Sequence, residues 1–243
     1  MALCFGRDHD RDLDDDIYDV KMQYLYHKEA GLSRLQLFGD EHRYIFKVRR
    51  HKIGESIYLR NLHDEILYEY HIEQLDKKMA YLQMLSGREL SISAKRPLHI
   101  AWCKIDPKSV EKALAALNEI GVSKITFIDC QRSQKSFRID FVRLQKILVN
   151  SSQQCGRSIL MELAEEESME KFLQKHPESR MLNFSKNLLT KESSIETLLI
   201  GPEGGFDREE SELMEAERVV GFDTELILKS ESAICSAAAK LLL

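Results

Sequence analysis

The segment Ile-Gly-Pro-Glu-Gly-Gly-Phe at residues 200–206 has the residue types of a ligand-binding turn. It follows the apolar run Thr197–Ile200 and leads into a helix that is predicted to begin at Asp207, and ligands of open α/β sheets bind where strands lead into helices. Its three glycines permit positive φ and a close approach to a ligand, Pro202 limits flexibility, and Glu203 adds a carboxylate. A glycine-rich turn without a ligand is the alternative, since the segment is neither a P-loop nor a Gly-x-Gly-x-x-Gly fingerprint.

Two other segments place polar side chains where elements end. Lys-Ser-Glu-Ser at 229–232 follows a predicted strand over Glu225–Leu228, which would bring it to the same edge of the sheet, although Ser230 or Ser232 could simply cap the last helix. The segment Gln153–Arg157 ends another helix, and its amide and guanidinium groups could bind a base and a phosphate. Taken alone, this last segment is more typical of a solvated helix end than of an RNA-binding site.

The charge is unevenly distributed along the chain. The net charge is −5, but residues 1–21 contain seven aspartates and are predicted to be a disordered acidic tail or a mis-assigned start. Residues 22–96 contain thirteen Lys and Arg, ten acidic residues and five histidines, which suits a polyanionic partner. No apolar run is long enough to cross a bilayer and no secretory signal is recognisable, so a cytoplasmic protein without a membrane partner is expected.

The five cysteines are scattered along the chain and never form a Cys-x-x-Cys pair; they are Cys4, Cys103, Cys130, Cys155 and Cys235. This spacing is typical neither of a zinc site nor of a disulfide framework. The sequence therefore predicts free thiols, no disulfide and no metal site.

The chemical segments lie in the second of two regions with different periodicity. Residues 22–88 carry short β-branched and aromatic runs, which predict a small β-barrel with strands at Gln23–Tyr26, Arg34–Phe38, Ser56–Leu59, Glu65–Ile72 and Met79–Leu85 and a short helix at His42–Arg49. Residues 89–97 are expected to be a linker. Residues 98–243 alternate strands with helices, which predicts an α/β fold with a largely parallel sheet covered on both faces.

The predicted elements of this second region are set by its apolar periodicity. The expected strands are His99–Cys103, Lys124–Asp129, Arg180–Phe184, Thr197–Ile200 and Glu225–Leu228. The expected helices are Pro107–Gly121 with Gly121 as its C-cap, Asp140–Gln153, Asp207–Arg218 with a capping box of Asp207 and Glu210, and Ser232–Leu242.

The order and spacing of the three polar segments resemble the ribosomal RNA small subunit methyltransferase E family, the uridine N3-methyltransferases of the SPOUT superfamily. That family shows an Ile-Gly-Pro-Glu-Gly-Gly-Phe loop, a Glu-Gln-Ser-Gly-Arg segment and a Leu-Arg-x-Glu-Thr-Ala end, which are similar to Ile200–Phe206, Gln153–Arg157 and Leu228–Ala233 here. Weaker likenesses occur at Leu117–Ser123 and Gln131–Ser133, and in the first region at His42 and Val48–Arg50 followed by Gly54. The resemblance covers essentially all of residues 22–243.

The resemblance implies a PUA-like RNA-binding β-barrel followed by a SPOUT α/β domain tied in a trefoil knot. It implies an enzyme that uses S-adenosyl-L-methionine to methylate N3 of one uridine in small-subunit (16S) ribosomal RNA, near the 3′ end at the decoding region. The partners would be this RNA, in assembled or assembling 30S particles, and a second copy of the chain bound through the knotted domain.

The resemblance also implies roles for individual residues. Lys229 and Arg157 would lower the pKa of the uracil, and Glu203 or Glu231 would accept its proton or order the loop. The residues expected to bind the cofactor are Asn183, Phe184, Ile200, Gly201, Pro202, Glu203, Gly204, Gly205, Leu226, Ile227, Leu228, Ser230 and Ala233. Those expected to bind RNA are His42, Arg49, Arg50, Arg132, Gln154 and Arg157.

Among its departures from the family pattern, Lys229 replaces Arg, Gln153 replaces Glu and Ser232 replaces Thr. Arg and Lys are not equivalent where a bidentate contact is needed. Two alternatives therefore stay open. One is an α/β enzyme that binds a nucleotide or phosphate in the glycine loop, and the other is an RNA-binding homologue that has lost catalysis.

Overall fold

The first sheet of the computed structural model has five strands and follows the alternating pattern of its sequence. The structure describes residues 24–133 and 136–243, so the acidic tail predicted at residues 1–21 lies outside the described residues. The strands are β1 (Leu25–Tyr26), β2 (Arg34–Phe38), β3 (Ser56–Arg60), β4 (Ile66–Leu75) and β5 (Met79–Glu89). Their order is β1-β3-β4-β5-β2, and all pairs are antiparallel except the parallel pair β1–β3. The strands match the predicted ones, with β4 and β5 longer at their carboxyl ends.

A helical segment follows β2 directly. It consists of α1 (Gly39–His42) and a π-helical turn over Arg43–Val48. The helix predicted at His42–Arg49 is therefore confirmed in position, although it begins three residues earlier. His42 and Ile45 are buried, which fixes the segment against the first sheet.

The second sheet is entirely parallel, as its sequence predicts. Its strands are β6 (His99–Cys103), β7 (Lys124–Ile128), β8 (Glu162–Glu166), β9 (Arg180–Leu182), β10 (Thr197–Ile200) and β11 (Val219–Val220), in the order β11-β9-β10-β6-β7-β8. Both faces are covered: Ile100 and Trp102 belong to one apolar cluster, whereas Ala101 and Cys103 belong to another.

Five helices cover this sheet: α2 (Pro107–Ile120), α3 (Phe141–Cys155), α4 (Met169–Lys175), α5 (Arg208–Glu212) and α6 (Ser230–Leu242). The predicted C-cap of α2 is confirmed, because Gly121 has φ 109° and its N–H bonds to the carbonyl of Leu117. The predicted capping box is also present at α5, where the side chains of Asp207 and Glu210 each accept from the other's backbone N–H. Within the described ranges, no helix combines the length and apolar character needed to cross a bilayer.

Two predicted elements near the C-terminus are wrong. The strand predicted at Glu225–Leu228 is an irregular segment in which Leu226 and Ile227 are 74% and 82% exposed, and the last strand of the sheet is β11. The helix predicted at Asp207–Arg218 ends at Glu212 and is followed by a 3-10 turn at Ala216–Arg218. The strand β8 and helix α4 were not predicted, because the charged sequence of β8 resembles a solvated segment.

The prediction of free cysteines is wrong for one pair. Cys103 and Cys130 form a disulfide with a Cα–Cα distance of 5.8 Å. Cys103 ends β6 and Cys130 comes two residues after β7, and these two strands are neighbours, so the fold brings together cysteines that are far apart in sequence. Cys155 and Cys235 are free thiols.

The two sheets are joined through the carboxyl end of α3. Tyr24 Oη donates to the carbonyl of Arg157 at 2.7 Å, and Tyr26 N–H donates to Gln153 Oε1 at 2.8 Å. Val149 and Leu160 pack against a small apolar cluster that contains Tyr24, so this contact is largely buried. It fixes the first sheet to the helix end that carries the Gln153–Arg157 segment.

Candidate active site

A cavity of about 470 Å³ opens at the carboxyl ends of β9 and β10. All thirteen residues that the sequence assigned to a cofactor lie around it, drawn from the end of β9, the glycine loop, the segment before α6 and the start of α6. Five further lining residues were not assigned; they are Leu182, Ser185, Phe206, Phe222 and Thr224. Three of these residues had a sequence signal. Phe206 ends the glycine motif, and Leu182 and Ser185 are next to the assigned pair Asn183–Phe184. Phe222 and Thr224 precede the predicted strand Glu225–Leu228 and belong to none of the recognised motifs, so no sequence signal pointed to them.

The glycine loop is a tight turn. Gly205 has φ 67°, and its N–H donates to the carbonyl of Pro202 at 2.9 Å. A side chain is disfavoured at this φ, although a Cβ there would meet nothing within 4 Å. At Gly201 a Cβ would lie 3.2 Å from the ring of Phe206. The first requirement is conformational and the second is steric, so the loop needs glycine at these two positions for different reasons.

Ser230 ties this loop to the core. Its hydroxyl donates to the carbonyl of Gly201 at 2.5 Å and accepts from Trp102 Nε1 at 2.8 Å. These hydrogen bonds join three elements: Gly201 lies in the glycine loop, Trp102 in strand β6 and Ser230 in the first turn of α6. Ser230 is therefore not a simple helix cap, which was one of the two roles its position suggested.

Arg132 supports the other side of the loop. Its Nη1 donates to the carbonyls of Gly204 at 2.6 Å and Phe206 at 3.3 Å. The neighbouring Gln131 N–H donates to Glu210 Oε1 at 2.7 Å. The loop that follows β7 and contains Gln131 and Arg132, called the β7 loop below, is therefore also attached to α5. The sequence assigned Arg132 to RNA, but the structure gives it contacts with the glycine loop.

The opposite wall of the cavity is apolar and open to solvent. Phe184, Leu226 and Ile227 are all exposed, and Leu228 is partly exposed. The N–H of Asn183 donates to the carbonyl of Val220 at 2.9 Å, which holds the end of β9 against β11. A ligand that packs against this wall would contact apolar side chains and would not displace water from polar ones.

Charge is sparse around the cavity. Glu203 is the one charged side chain among the described residues that line it, and none of those lining residues is Lys or Arg. The Glu203 carboxylate is exposed and has no hydrogen-bond or ion-pair partner within the described part of the chain. Within the described residues, Glu203 therefore makes no bond that would order its own loop.

Lys229 and Glu231 flank Ser230 at the start of α6. Lys229 is exposed and occupies the N-cap position without a side-chain capping bond. Glu231 lies in the first turn, and its Oε2 is buried without a hydrogen-bond partner among the described residues. Burial of the Cys235 thiol, and then the nearby Glu231 carboxylate, raise the pKa of that thiol. A buried, unpartnered carboxylate oxygen is costly unless a ligand or water completes it.

Arg157 is not part of this cavity in the single chain. Its Nε donates to the carbonyl of Ile159 at 2.8 Å and its Nη1 to the carbonyl of Asn118 at 3.1 Å. The side chain is buried, and this burial lowers the pKa of the guanidinium. The guanidinium therefore joins the carboxyl ends of α2 and α3, and its expected catalytic and RNA-binding roles stay predictions.

The other residues assigned to RNA have mixed outcomes. His42 is buried, with Nε2 3.0 Å from the carbonyl oxygen of Asp76, and is therefore not available to a phosphate. Arg50 and Gln154 are exposed. Arg49 is exposed too, and its guanidinium is held by the hydroxyl of Tyr44.

Comparisons with known proteins agree with this arrangement. A family model described as an RNA methyltransferase domain matches residues 93–242. A ribosomal RNA small subunit methyltransferase E of Helicobacter pylori strain J99 is 35% identical over 216 residues, covering 87% of this chain and 96% of that protein. The protein of the same name from Aquifex aeolicus strain VF5 is 23% identical over 228 residues, covering 88% and 96%.

A solved structure has the same fold. The ribosomal RNA small subunit methyltransferase E of Neisseria gonorrhoeae, bound to S-adenosyl methionine, superposes with a TM-score of 0.73 over 90% of this chain and 96% of that one. Its sequence is 19% identical, so the likeness concerns the fold. Both sheets described above are included in a match of that extent.

Proposed function

The chain belongs to the ribosomal RNA small subunit methyltransferase E family, and from this we propose that it transfers a methyl group from S-adenosyl-L-methionine to N3 of a uridine in small-subunit ribosomal RNA. The observation that carries the proposal is the meeting of the Gly201–Gly205 loop with Leu226–Leu228 in one cavity. These two segments are separated in sequence, and each was assigned to the cofactor before the fold brought them together.

The cavity suits this cofactor. Its volume, about 470 Å³, lies in the ordinary range for small-molecule sites. The exposed apolar side chains Phe184, Leu226 and Ile227 would cover the adenine ring, and the backbone of the glycine loop offers polar groups for the ribose and the amino-acid part. The carboxylate of Glu203 has no partner in the described chain and would face a ligand that carries positive charge.

The charge of the cavity lining disfavours the alternative function, an enzyme that binds a nucleotide. A triphosphate needs cations or several N–H donors directed at its oxygens. The described lining residues include no Lys or Arg, and Glu203 would repel phosphate. A sulfonium compound meets the opposite situation, because Glu203 favours its charge.

We propose that Lys229 and Glu231 divide the chemistry on the uracil. When bound, S-adenosyl-L-methionine supplies a methyl group on a positively charged sulfur, which leaves as a neutral thioether. Lys229 would approach O2 or O4 of the uracil and lower the pKa of N3. Glu231 would take the N3 proton, leaving the nitrogen lone pair free to form the new N–C bond. Positioning of the two reactants supplies much of the remaining rate enhancement.

We also propose the organisation that the family implies. Residues 22–88 would be the PUA-like β-barrel, residues 89–97 the linker, and residues 98–243 the SPOUT domain with its trefoil knot. The enzyme would act as a homodimer through that domain, on RNA in assembled or assembling small subunits in the cytoplasm. The five-stranded and six-stranded sheets lie in the two ranges, which supports the division.

Titration calorimetry tests the choice of ligand. We expect S-adenosyl-L-methionine to bind and ATP and GTP not to bind at comparable concentrations. Nucleotide binding without S-adenosyl-L-methionine binding would contradict the proposal and favour the phosphate-binding alternative.

A second experiment separates the enzyme from an inactive RNA-binding homologue. Purified protein, labelled cofactor and small subunits from a strain without this methyltransferase should give methylated RNA. We expect Lys229→Ala to reduce turnover at least about tenfold while changing cofactor affinity little. Absence of any methylation by the wild-type protein would favour the inactive homologue, and equal losses in turnover and cofactor affinity would make Lys229 a cofactor-binding residue.

A further inference from the structure

The segment from Arg43 to Gly54 is the most concentrated cationic stretch of the first sheet region. It contains five Lys and Arg and no acidic residue; the cations are Arg43, Lys47, Arg49, Arg50 and Lys52. All five are exposed. Clusters of this kind are the electrostatic footprint of a nucleic-acid contact.

Buried side chains hold the backbone of this segment against the first sheet. Ile45 is buried, His42 Nε2 lies 3.0 Å from the carbonyl oxygen of Asp76, and the ring of Phe46 lies 4.9 Å from the ring of His42. The π-helical turn is closed by Arg49 N–H, which donates to the carbonyl of Tyr44 at 2.9 Å. A surface on such an anchored segment loses little conformational entropy when it binds.

Tyr44 has an unusual setting within this segment. Arg49 Nε and Nη2 lie 3.2 and 3.0 Å from its hydroxyl oxygen, while the guanidinium carbon lies 5.4 Å from the ring centre. The guanidinium therefore sits at the hydroxyl end of the ring and fixes its orientation. The residue is 41% exposed, so part of the ring surface remains accessible to a planar group.

We propose that Tyr44, oriented by Arg49, is a stacking platform for an unpaired base of the RNA, with Lys47 and Arg50 on the flanking phosphates. The inference rests on the proposed function, because it assumes that the substrate is RNA. Base stacking on an aromatic ring strengthens binding of single strands, whereas the bases of a duplex already stack on one another and are not accessible to the ring. Phosphate contacts add affinity without sequence preference.

Glu41 and Glu55, which lie close to the two ends of this segment in the sequence, each have a partner. His51 Nδ1 lies 3.1 Å from Glu55 Oε2, and the backbone N–H of Lys52 also donates to that carboxylate. These bonds lower the pKa of Glu55. Glu41 Oε2 lies 3.8 Å from Nε2 of His27, the residue that follows β1.

Fluorescence anisotropy with a labelled oligouridine tests the platform, with the same strand annealed to oligoadenine as the duplex probe and no cofactor present. We expect Tyr44→Ala to weaken single-strand binding about tenfold and to leave duplex binding nearly unchanged. Tyr44→Phe keeps the ring and should stay within about threefold of the wild type. Arg50→Ala should reduce the slope of log affinity against log salt by about 0.7.

Phe38→Ala is the matched control, since Phe38 is an exposed aromatic residue (64%) on the edge strand β2, outside the cationic segment. It should bind both probes as the wild type does. Single-strand binding by Tyr44→Ala equal to the wild type, or an equal loss for both probes, would overturn the platform. Because cofactor binding is measured separately, failure of the methyltransferase proposal would leave this result interpretable.

Discussion

Ser230 connects the glycine loop to Trp102, the one tryptophan of the chain. Replacing it with Ala leaves the buried indole N–H and the carbonyl of Gly201 without this partner. We expect Ser230→Ala to reduce the free energy of unfolding by about 1–3 kcal/mol. Denaturant unfolding measures this loss, and Ser232→Ala, two positions further in the same helix, is the control that should cost less.

The same contact makes Trp102 a reporter of the cavity. Binding of the cofactor beside Gly201 should change the tryptophan fluorescence of the wild type. In Ser230→Ala the change should be smaller. An identical signal in both proteins would show that the hydrogen bonds of Ser230 do not transmit the state of the loop to Trp102.

Glu203 is expected to recognise the charge of the cofactor. Glu203→Gln should weaken S-adenosyl-L-methionine binding by roughly 1 kcal/mol, because a carboxylate attracts the sulfonium and an amide does not. Binding of S-adenosylhomocysteine, which lacks that charge, should change little. Calorimetry with both ligands measures the difference, and equal losses for the two would assign Glu203 to ordering the loop instead.

At the scale of elements, the β7 loop supports the glycine loop through Arg132. Arg132→Ala removes the two bonds to the carbonyls of Gly204 and Phe206. We expect about a tenfold loss of cofactor affinity, with RNA binding nearly unchanged. Arg138→Ala is a control with the same change of charge in the same connection between β7 and α3. A loss of RNA affinity with cofactor affinity intact would restore the RNA-binding role that the sequence suggested for Arg132.

The packing of α4 on β6 makes stability depend on pH. Burial, and then the neighbouring His176 and Lys124, lower the pKa of His99 from 6.5 to about 4. Between these values the unfolded chain binds more protons than the folded chain, so this contribution to stability is complete above the unfolded pKa and is lost as the pH falls through the window. The effect is on the order of 3 kcal/mol.

Thermal unfolding at a series of pH values tests this dependence. His99→Phe should flatten the fall of Tm between about pH 6.5 and pH 4, whereas His63→Phe, at an exposed position, should keep it. A fall of the same size in His99→Phe would mean that other groups, such as His176, are responsible.

The strands and helices with strong periodicity could be predicted from the sequence, and so could thirteen of the eighteen residues around the cavity. The exceptions have physical causes. Leu226–Leu228 is apolar because it lines a cavity, although its composition is that of a buried strand. Cys103 and Cys130 pair because β6 and β7 are neighbours, which their spacing does not reveal. Arg157 bonds to backbone carbonyls, a use that its residue type could not distinguish from phosphate binding.

At the scale of the whole molecule, the segment Gln153–Arg157 joins the two sheets. Gln153 accepts from the backbone of Tyr26, and the carbonyl of Arg157 accepts from Tyr24. The first sheet carries the exposed cations and the second carries the cavity. This contact therefore sets the distance between the surface that would hold RNA and the cavity that would hold the methyl donor.

The most direct test of the central claim is the position of the methyl group on the RNA. Small subunits from a strain that lacks this methyltransferase would be incubated with the purified chain and S-adenosyl-L-methionine, and the RNA digested and analysed by mass spectrometry. We expect one new N3-methyluridine near the 3′ end of the small-subunit RNA, formed at least about tenfold more slowly when Lys229→Ala replaces the wild type. Methylation at another atom or on another base, or no methylation at all, would contradict the claim.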